Sequence, residues 1–301
     1  MIMQNLYTLL KADEKQIRKI LIKELKENGY TPVIHNDFIY AEGTVPVMLV
    51  GHYDTVPKPP KYVVNRNGIL SAKKGLGADD RAGIYAILTL MVKHHCHILF
   101  TGGEETGGIG AKAFVKSGIK PAELNYIIEM DRRGENDAVY YQGDNEEFEE
   151  FITSFGWETD WGTYTDICEL APALGVSAVN LSIGYQNEHT HKETLDTAVM
   201  SKNIARIPAM LDGKFYEWKE KPDHYYYSGY GKSFDWYGYE EIAIKYEDKD
   251  GTVKTSVSWG ASVEEALGTF FMEHPDICYQ DVIDYVDYYE YGMDDDDYKE
   301  V

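Results

Sequence analysis

Short apolar runs alternating with helical stretches predict an α/β fold, a three-layer sandwich around a mostly parallel central sheet. Two further observations support that class. Clusters of Asp, Glu and His fall just after the apolar runs, where open α/β sheets gather ligands. The composition also shifts beyond residue 213, which separates a first unit, 1–213, from a small α+β appendage, 214–301.

Asp13 with Gln16 makes a capping-box pattern, and Ile17, Ile20, Leu21 and Leu25 recur at helical spacing until Gly29. Residues 46–50, PVMLV, read as a buried strand. Residues 83–92, GIYAILTLMV, exceed ordinary strand length and read as a buried helix. Ile98, Leu99 and Phe100 form the next strand, and 111–116 a helix stopped near Gly118. Strands are expected at 126–128, 139–141 and 176–183, with a closing helix at 195–211. In the appendage, 241–246 and 252–259 flank Asp250-Gly251, a hairpin signal. Ser262 and Glu265 open a helix over 262–272, 281–289 reads as a second helix, and the run Asp294 to Asp297 reads as disordered.

The chain has 301 residues, with Lys+Arg 29 against Asp+Glu 51, a net charge of −22. Such acidity repels phosphate and speaks against nucleic acid or an anionic membrane as partner. Residues 214–301 hold 8 Lys/Arg against 22 Asp/Glu, so −14 of the charge lies there and −8 in residues 1–213. The same tail carries 14 of the 25 tyrosines. No apolar run approaches the ~18 residues of a bilayer span. The start lacks a basic segment and a small-residue cleavage site, so a signal peptide is not expected. Cys96, Cys168 and Cys278 are odd in number and widely spaced, which points to a reduced, cytoplasmic protein.

Five clusters carry the chemistry. His52 stands two residues before Asp54 at a strand end, which suits an imidazole ligand oriented by a carboxylate. Asp79 and Asp80 open a helix, either as dipole complements or as a carboxylate shared by two cations. Glu104 and Glu105 sit among glycines that let the backbone approach closely; one can act as base while the other holds a metal. Asp131 follows the strand 126–128, with Arg132 and Arg133 beside it as ion-pair partners in the plainer reading. His189 and His191 follow the strand 176–183, and either can bind metal.

In this order the motifs His-x-Asp, Gly-Ala-Asp-Asp, Glu-Glu-x-Gly-Gly, Asp and His resemble the dinuclear zinc exopeptidase superfamily. That superfamily includes peptidase T, the carboxypeptidase G type and bacterial leucyl aminopeptidases. The likeness covers residues 30–210, and Gly162 to Asp166 with Gly184 to Glu193 look like the end of peptidase T. It implies two zinc ions, with cobalt or manganese also suited to such ligands. By position, His52 and Asp131 would serve the first cation, Glu105 and His189 the second, and Asp79 both. Asp80 would follow Asp79 across a cis peptide. Asp54 would orient His52, Glu104 would be the general base, and His191 would stay outside.

The resemblance implies hydrolysis of a peptide or similar amide, foremost by an aminopeptidase acting on short peptides. A deacylase or carboxypeptidase acting on N-acyl amino acids or dipeptides is the alternative, and a non-catalytic metal-binding module a third reading. Arg132 and Arg133 could hold a substrate carboxylate or balance the acidic shell, and Asp166 is a further candidate substrate contact. Only 58 residues separate Asp131 from His189, too few for the inserted lid and dimerisation domain of peptidase T. The layout is that of the lidless aminopeptidases, which leaves the oligomeric state open. Residues 214–301 match no part of the superfamily. His94, His95 and His97 around Cys96 read as a helix end and strand edge rather than as a metal cluster. The Tyr-rich stretch 225–239 is either a recognition surface or packing for the tail.

Overall fold

The computed structural model describes residues 2–141, 145–211, 240–247, 252–260, 267, 270–271, 274, 277 and 282–287. The chain divides into two compact units, Met1–Trp161 with Thr165–Tyr227, and Gly162–Tyr164 with Ser228–Val301.

In the first unit the helices are α1 (Ile2–Lys11), α2 (Glu14–Glu27), α3 (Ala78–Leu90), α4 (Ile109–Ser117), α5 (Glu146–Thr153), α6 (Ile167–Leu174) and α7 (Thr197–Leu211). Its strands are β1 (Val33–Ile34), β2 (Phe38–Ala41), β3 (Val45–His52), β4 (Val64–Arg66), β5 (Ile69–Ser71), β6 (Cys96–Thr101), β7 (Tyr126–Arg132), β8 (Asp137–Val139), β9 (Glu158–Asp160), β10 (Ala178–Ser182), β11 (Tyr185–Gln186) and β12 (Thr194–Asp196). Eight strands form one sheet in the order β1-β2-β6-β3-β7-β10-β8-β9. The four middle strands β6, β3, β7 and β10 run parallel. Antiparallel pairs flank them at β1–β2, β2–β6 and β10–β8, so the sheet is mixed.

Period-two alternation builds the three layers. Val47, Leu49, Ile98, Phe100 and Ile128 point to one face, packed with residues of α1, α2, α3, α5 and α7. Met48, Val50, Leu99 and Ile127 point to the other, against α4 and α6. The middle strands are therefore apolar on both faces. Each such side chain contributes roughly 1.5–3 kcal/mol on burial, which is why β3 and β6 read as continuous apolar runs. Helix α3 is buried almost all round, in keeping with its place against the sheet centre. Helix α2 is amphipathic, with Ile17, Leu21 and Leu25 inward. Its expected capping box is formed: Asp13 N–H donates to Gln16 Oε1 (3.0 Å) and Gln16 N–H to Asp13 Oδ1 (2.7 Å).

A second sheet, β11-β12-β5-β4, pairs Leu195 with Leu70 and so brings the chain near residue 193 to the start of α3. In the second unit, β13 (Glu240–Glu247) pairs antiparallel with β14 (Val253–Gly260) and β15 (Val282–Asp287). Ile244, Tyr246, Leu267, Phe270 and Ile277 form its buried cluster.

Some expectations change. Within the helix expected at 281–289, the described residues Val282–Asp287 form strand β15, as the β-branched and aromatic Val282, Ile283, Tyr285 and Val286 favour. The strand expected at 139–141 ends at Val139, and Tyr141 has a left-handed φ of 55°. Helices α1, α5 and α6 and the short strands β1, β2, β4, β5, β9, β11 and β12 are not among the expected elements; the strands have two to four residues each, too few to show a period. Cys278, the Asp250-Gly251 turn, most of the helix at 262–272, the stretch 225–239 and the acidic run 294–297 lie outside the described residues.

Candidate metal centre

Parallel register sets the site. His52 at the end of β3 pairs with Thr101 at the end of β6, and Val50 of β3 pairs with Glu129 of β7. Asn180 of β10 also pairs with Glu129. The segments after β3, β6, β7 and β10 therefore leave the sheet on the same side, and α3 starts beside them.

Asp79 lies between two imidazoles. Its Oδ1 is 3.0 Å from His52 Nε2 and its Oδ2 is 3.0 Å from His189 Nε2. Glu105 Oε2 lies 2.9 Å from the same His189 nitrogen, and Asp131 Oδ1 lies 3.6 Å from His52 Nε2. Among the described residues, His52/Asp79/Asp131, Asp79/Glu105/His189 and His52/Glu104/Glu105 each present donor atoms within 4.8 Å of one another. The peptide between Asp79 and Asp80 is cis. Three carboxylates and two imidazoles thus surround two adjacent points that share Asp79.

The protein chemistry fits divalent cations. No Lys or Arg forms an ion pair with Asp79, Glu105 or Asp131 among the described residues; the only cationic partners are imidazoles. Glu105 Oε1 is buried without a hydrogen-bond partner. Oxygen and imidazole donors in this ratio suit zinc, cobalt or manganese.

Burial and neighbouring charges shift these groups. Burial pushes the Asp131 carboxyl up to about 7, and Asp79 beside it adds to the effect. Burial opposes a charged His189, yet Asp79 and Glu105 outweigh it and raise the imidazole to about 11. His52 is also raised well above its ordinary value; burial opposes this, and Asp131, Asp54 and Asp79 prevail. Asp79 goes the other way, below the carboxylate range: burial resists, and His189 and His52 win. Glu104 is raised well above its ordinary value by burial, eased by His52 and reinforced by Asp131, Glu105 and Asp166.

A supporting layer holds these groups. The Asp54 carboxylate lies 3.4 Å from His52 Nδ1 and accepts the backbone N–H of Glu104 and of Glu105, each at 3.3 Å. It thereby joins the His52 strand end to the glutamate loop. Tyr185 O–H donates to Asp131 Oδ1 (3.0 Å), and Thr165 O–H lies 3.2 Å from Asp131 Oδ2 and 2.8 Å from Glu129 Oε2. Asn180 accepts the Asp131 N–H (2.8 Å) and donates to its carbonyl (2.7 Å). Sequence reasoning assigned no role to Tyr185, Thr165, Asn180 or Glu129. A signal existed for Asn180 and Glu129, a polar residue inside one apolar run and an acid closing another.

The three substrate candidates are engaged within the protein. Arg132 pairs with Asp160 (2.6 Å) and Asp137 (3.5 Å), and Arg133 with Glu188 (3.0 Å), so neither arginine pairs directly with Asp79, Glu105 or Asp131. Asp166 is wholly buried, and its Oδ2 accepts the Thr101 hydroxyl. It has no exposed surface in this structure. His191 joins none of the donor groups, nor do His94, His95 and His97. His95 stacks on Tyr30, with ring centroids 4.0 Å apart, and His97 Nε2 meets the Glu123 carbonyl at 2.8 Å.

The fold has solved counterparts. Aminopeptidase PepT from Bacillus cereus ATCC 10987 superposes with a TM-score of 0.58 at 16% identity, covering 70% of this chain and 97% of that one. A tripeptidase from Staphylococcus aureus subsp. aureus Mu50 gives 0.58 at 14% identity, covering 70% and 96%. The TET aminopeptidase of Thaumarchaeota archaeon SCGC AB-539-E09 gives 0.58 at 13% identity, covering 72% and 98%. No curated protein sequence matches the chain significantly. The model of peptidase family M28 matches residues 40–207, which is more than half of the sequence and spans every donor of the centre. On that match the chain belongs to peptidase family M28.

Proposed function

We propose that this protein is a two-cation aminopeptidase that hydrolyses short peptides. The observation that carries the reading is Asp79, with one carboxylate oxygen 3.0 Å from each of two imidazoles and a further carboxylate on either side. Membership of a peptidase family supports hydrolysis of peptide bonds. His52, Asp79 and Asp131 would hold one cation and Asp79, Glu105 and His189 the other. Bound there, the pair would acidify a shared water and polarise the scissile carbonyl.

The protein's own groups supply the rest. Glu104 stands beside His52 and Glu105 and belongs to no ion pair among the described residues. Its carboxylate suits a base that takes a proton from water and gives it to the leaving amine. Asp54 holds the His52 ring and the backbone of the Glu104–Glu105 loop in one arrangement. Arg132 and Arg133 are engaged by acids of the protein, which favours reading a free amino end over capture of a substrate carboxylate. No helix among the described residues is long and apolar enough to cross a membrane.

The test is a peptide-library digest read by mass spectrometry, with free and blocked termini, after loading with zinc or cobalt. Stepwise loss of N-terminal residues, stopped by an N-terminal block, is expected. Cleavage of N-acyl substrates alone, or release from the carboxyl end, would replace the aminopeptidase with a deacylase or carboxypeptidase. Fewer than two metal ions per chain after reconstitution removes the two-cation centre.

A further inference from the structure

Helix α3 begins without a cap of its own. Its N-cap residue is Gly77, left-handed at φ 68°, with no side chain to accept the backbone N–H groups of the first turn. The acceptor comes from far along the chain. Glu193 Oε2 accepts N–H from Leu76 (2.8 Å) and Gly77 (2.7 Å), and its Oε1 accepts N–H from Ala78 (2.6 Å) and Asp79 (3.2 Å). The residue is wholly buried. The β12–β5 pairing, Leu195 against Leu70, delivers it there.

A local Ser, Thr or Asp at position 77 would satisfy a helix start. Here the cap is placed instead on the loop that carries His189, four residues upstream. Glu193 N–H donates to the Thr190 carbonyl (3.3 Å), so the carboxylate is fixed to that loop. At the far end of the same link, His189 Nε2 stands 3.0 Å from Asp79 Oδ2. One carboxylate therefore ties the backbone of the turn holding Asp79 to the loop holding His189. Each of its oxygens takes two donors. Glutamine offers one such oxygen and turns an amide N–H₂ towards the other two N–H groups. Aspartate keeps both oxygens on a stem one methylene shorter.

We propose that Glu193 is a positioning residue for the metal centre, setting Asp79 and His189 at the spacing that lets both serve one cation. The inference rests on the two-cation reading above and adds a residue that touches neither cation nor substrate. Loss of an outer hydrogen-bonding partner of this kind weakens metal affinity by about 10–100-fold.

Chelator-stripped full-length wild type, Glu193→Gln and Glu193→Asp are titrated with zinc chloride by calorimetry and with cobalt chloride by visible absorption. Wild type is expected to bind two ions. Glu193→Gln is expected to weaken one of them about 10–100-fold, with a changed cobalt spectrum at saturation, and Glu193→Asp to recover part of the loss. A Glu193→Gln chain that is folded by circular dichroism, binds two zinc ions at wild-type affinity and shows the wild-type cobalt spectrum overturns the proposal and leaves the metal reading standing. If Glu193→Gln does not fold, Glu193→Asp is judged by the same criteria. If neither folds, Glu193 is a folding cap and the positioning role is overturned. A wild-type chain that binds no zinc removes the metal reading, and the role of Glu193 with it.

Discussion

Asp166 offers a test in which burial, charge and function separate. Its side chain is wholly enclosed, Oδ2 accepts the Thr101 hydroxyl, and Oδ1 has no hydrogen-bond partner. Burial raises its pKa from 3.8 to about 6; Thr101 and His52 oppose the shift, and Asp54 and Glu169 add to it. The sign follows from linkage. Below pH ~3 the carboxyl is neutral in both the folded and the unfolded chain and carries no penalty. As pH rises through about 6 the folded state must hold a charge that the unfolded chain carries in water. At pH 7.5 the penalty is about 3 kcal/mol.

Asp166→Asn removes that charge. Its amide replaces the unpartnered Oδ1 with an unpartnered donor, at about 1 kcal/mol. The net gain is about 2 kcal/mol at pH 7.5, or roughly 4–8 °C in melting temperature for a unit of this size. At pH 4 the gain vanishes and the variant is slightly the weaker. Thermal unfolding of the chelator-treated protein at the two pH values reads the difference. An advantage absent at pH 7.5, or equal at both, refutes the argument from buried charge. The metal-loaded variant should also keep the wild-type KM for peptides, because the side chain has no exposed surface. A raised KM would return Asp166 to the substrate contacts.

Three further outcomes are expected. Glu104→Gln should retain its metal ions by elemental analysis and lose about 10²–10⁴-fold in kcat, since the base is gone and the ligands are not; unchanged turnover removes Glu104 as the base. Tyr185→Phe deletes the 3.0 Å bond to Asp131 Oδ1 and should weaken metal binding about 10–100-fold in competition with a chromogenic chelator; wild-type affinity would make the hydroxyl dispensable. Gly83→Ala places a methyl group 2.5 Å from the Met130 carbonyl and 2.3 Å from Asp80 Oδ1. The β7 backbone cannot yield cheaply, so urea denaturation should show a loss of about 1–3 kcal/mol or more.

The fold class and the residues that could hold a cation were legible in the sequence for one reason: both lie in local pattern. Strands β3, β6 and β7 are buried on both faces, so they appear as unbroken apolar runs, and the parallel layout places the reactive residues at their ends. Elements without that pattern went unread. Strands β4, β5, β11 and β12 have two or three residues each and no period to detect. The helix expected at 281–289 failed because tyrosine and β-branched residues there suit a strand, and helical spacing in a short acidic stretch is weak evidence.

By itself the sequence determined which residue types stand at the strand ends, and hence the kind of chemistry they can perform. Only the tertiary structure decided their partners. It engaged Arg132 with Asp160 and Arg133 with Glu188, enclosed Asp166 beneath Thr101, and gave Asp131 its hydrogen bonds from Tyr185 and Asn180. It also brought Glu193 across 114 residues to hold the turn before α3. Such choices depend on distances of about 3 Å between segments remote in the chain, and spacing along a sequence carries no record of them.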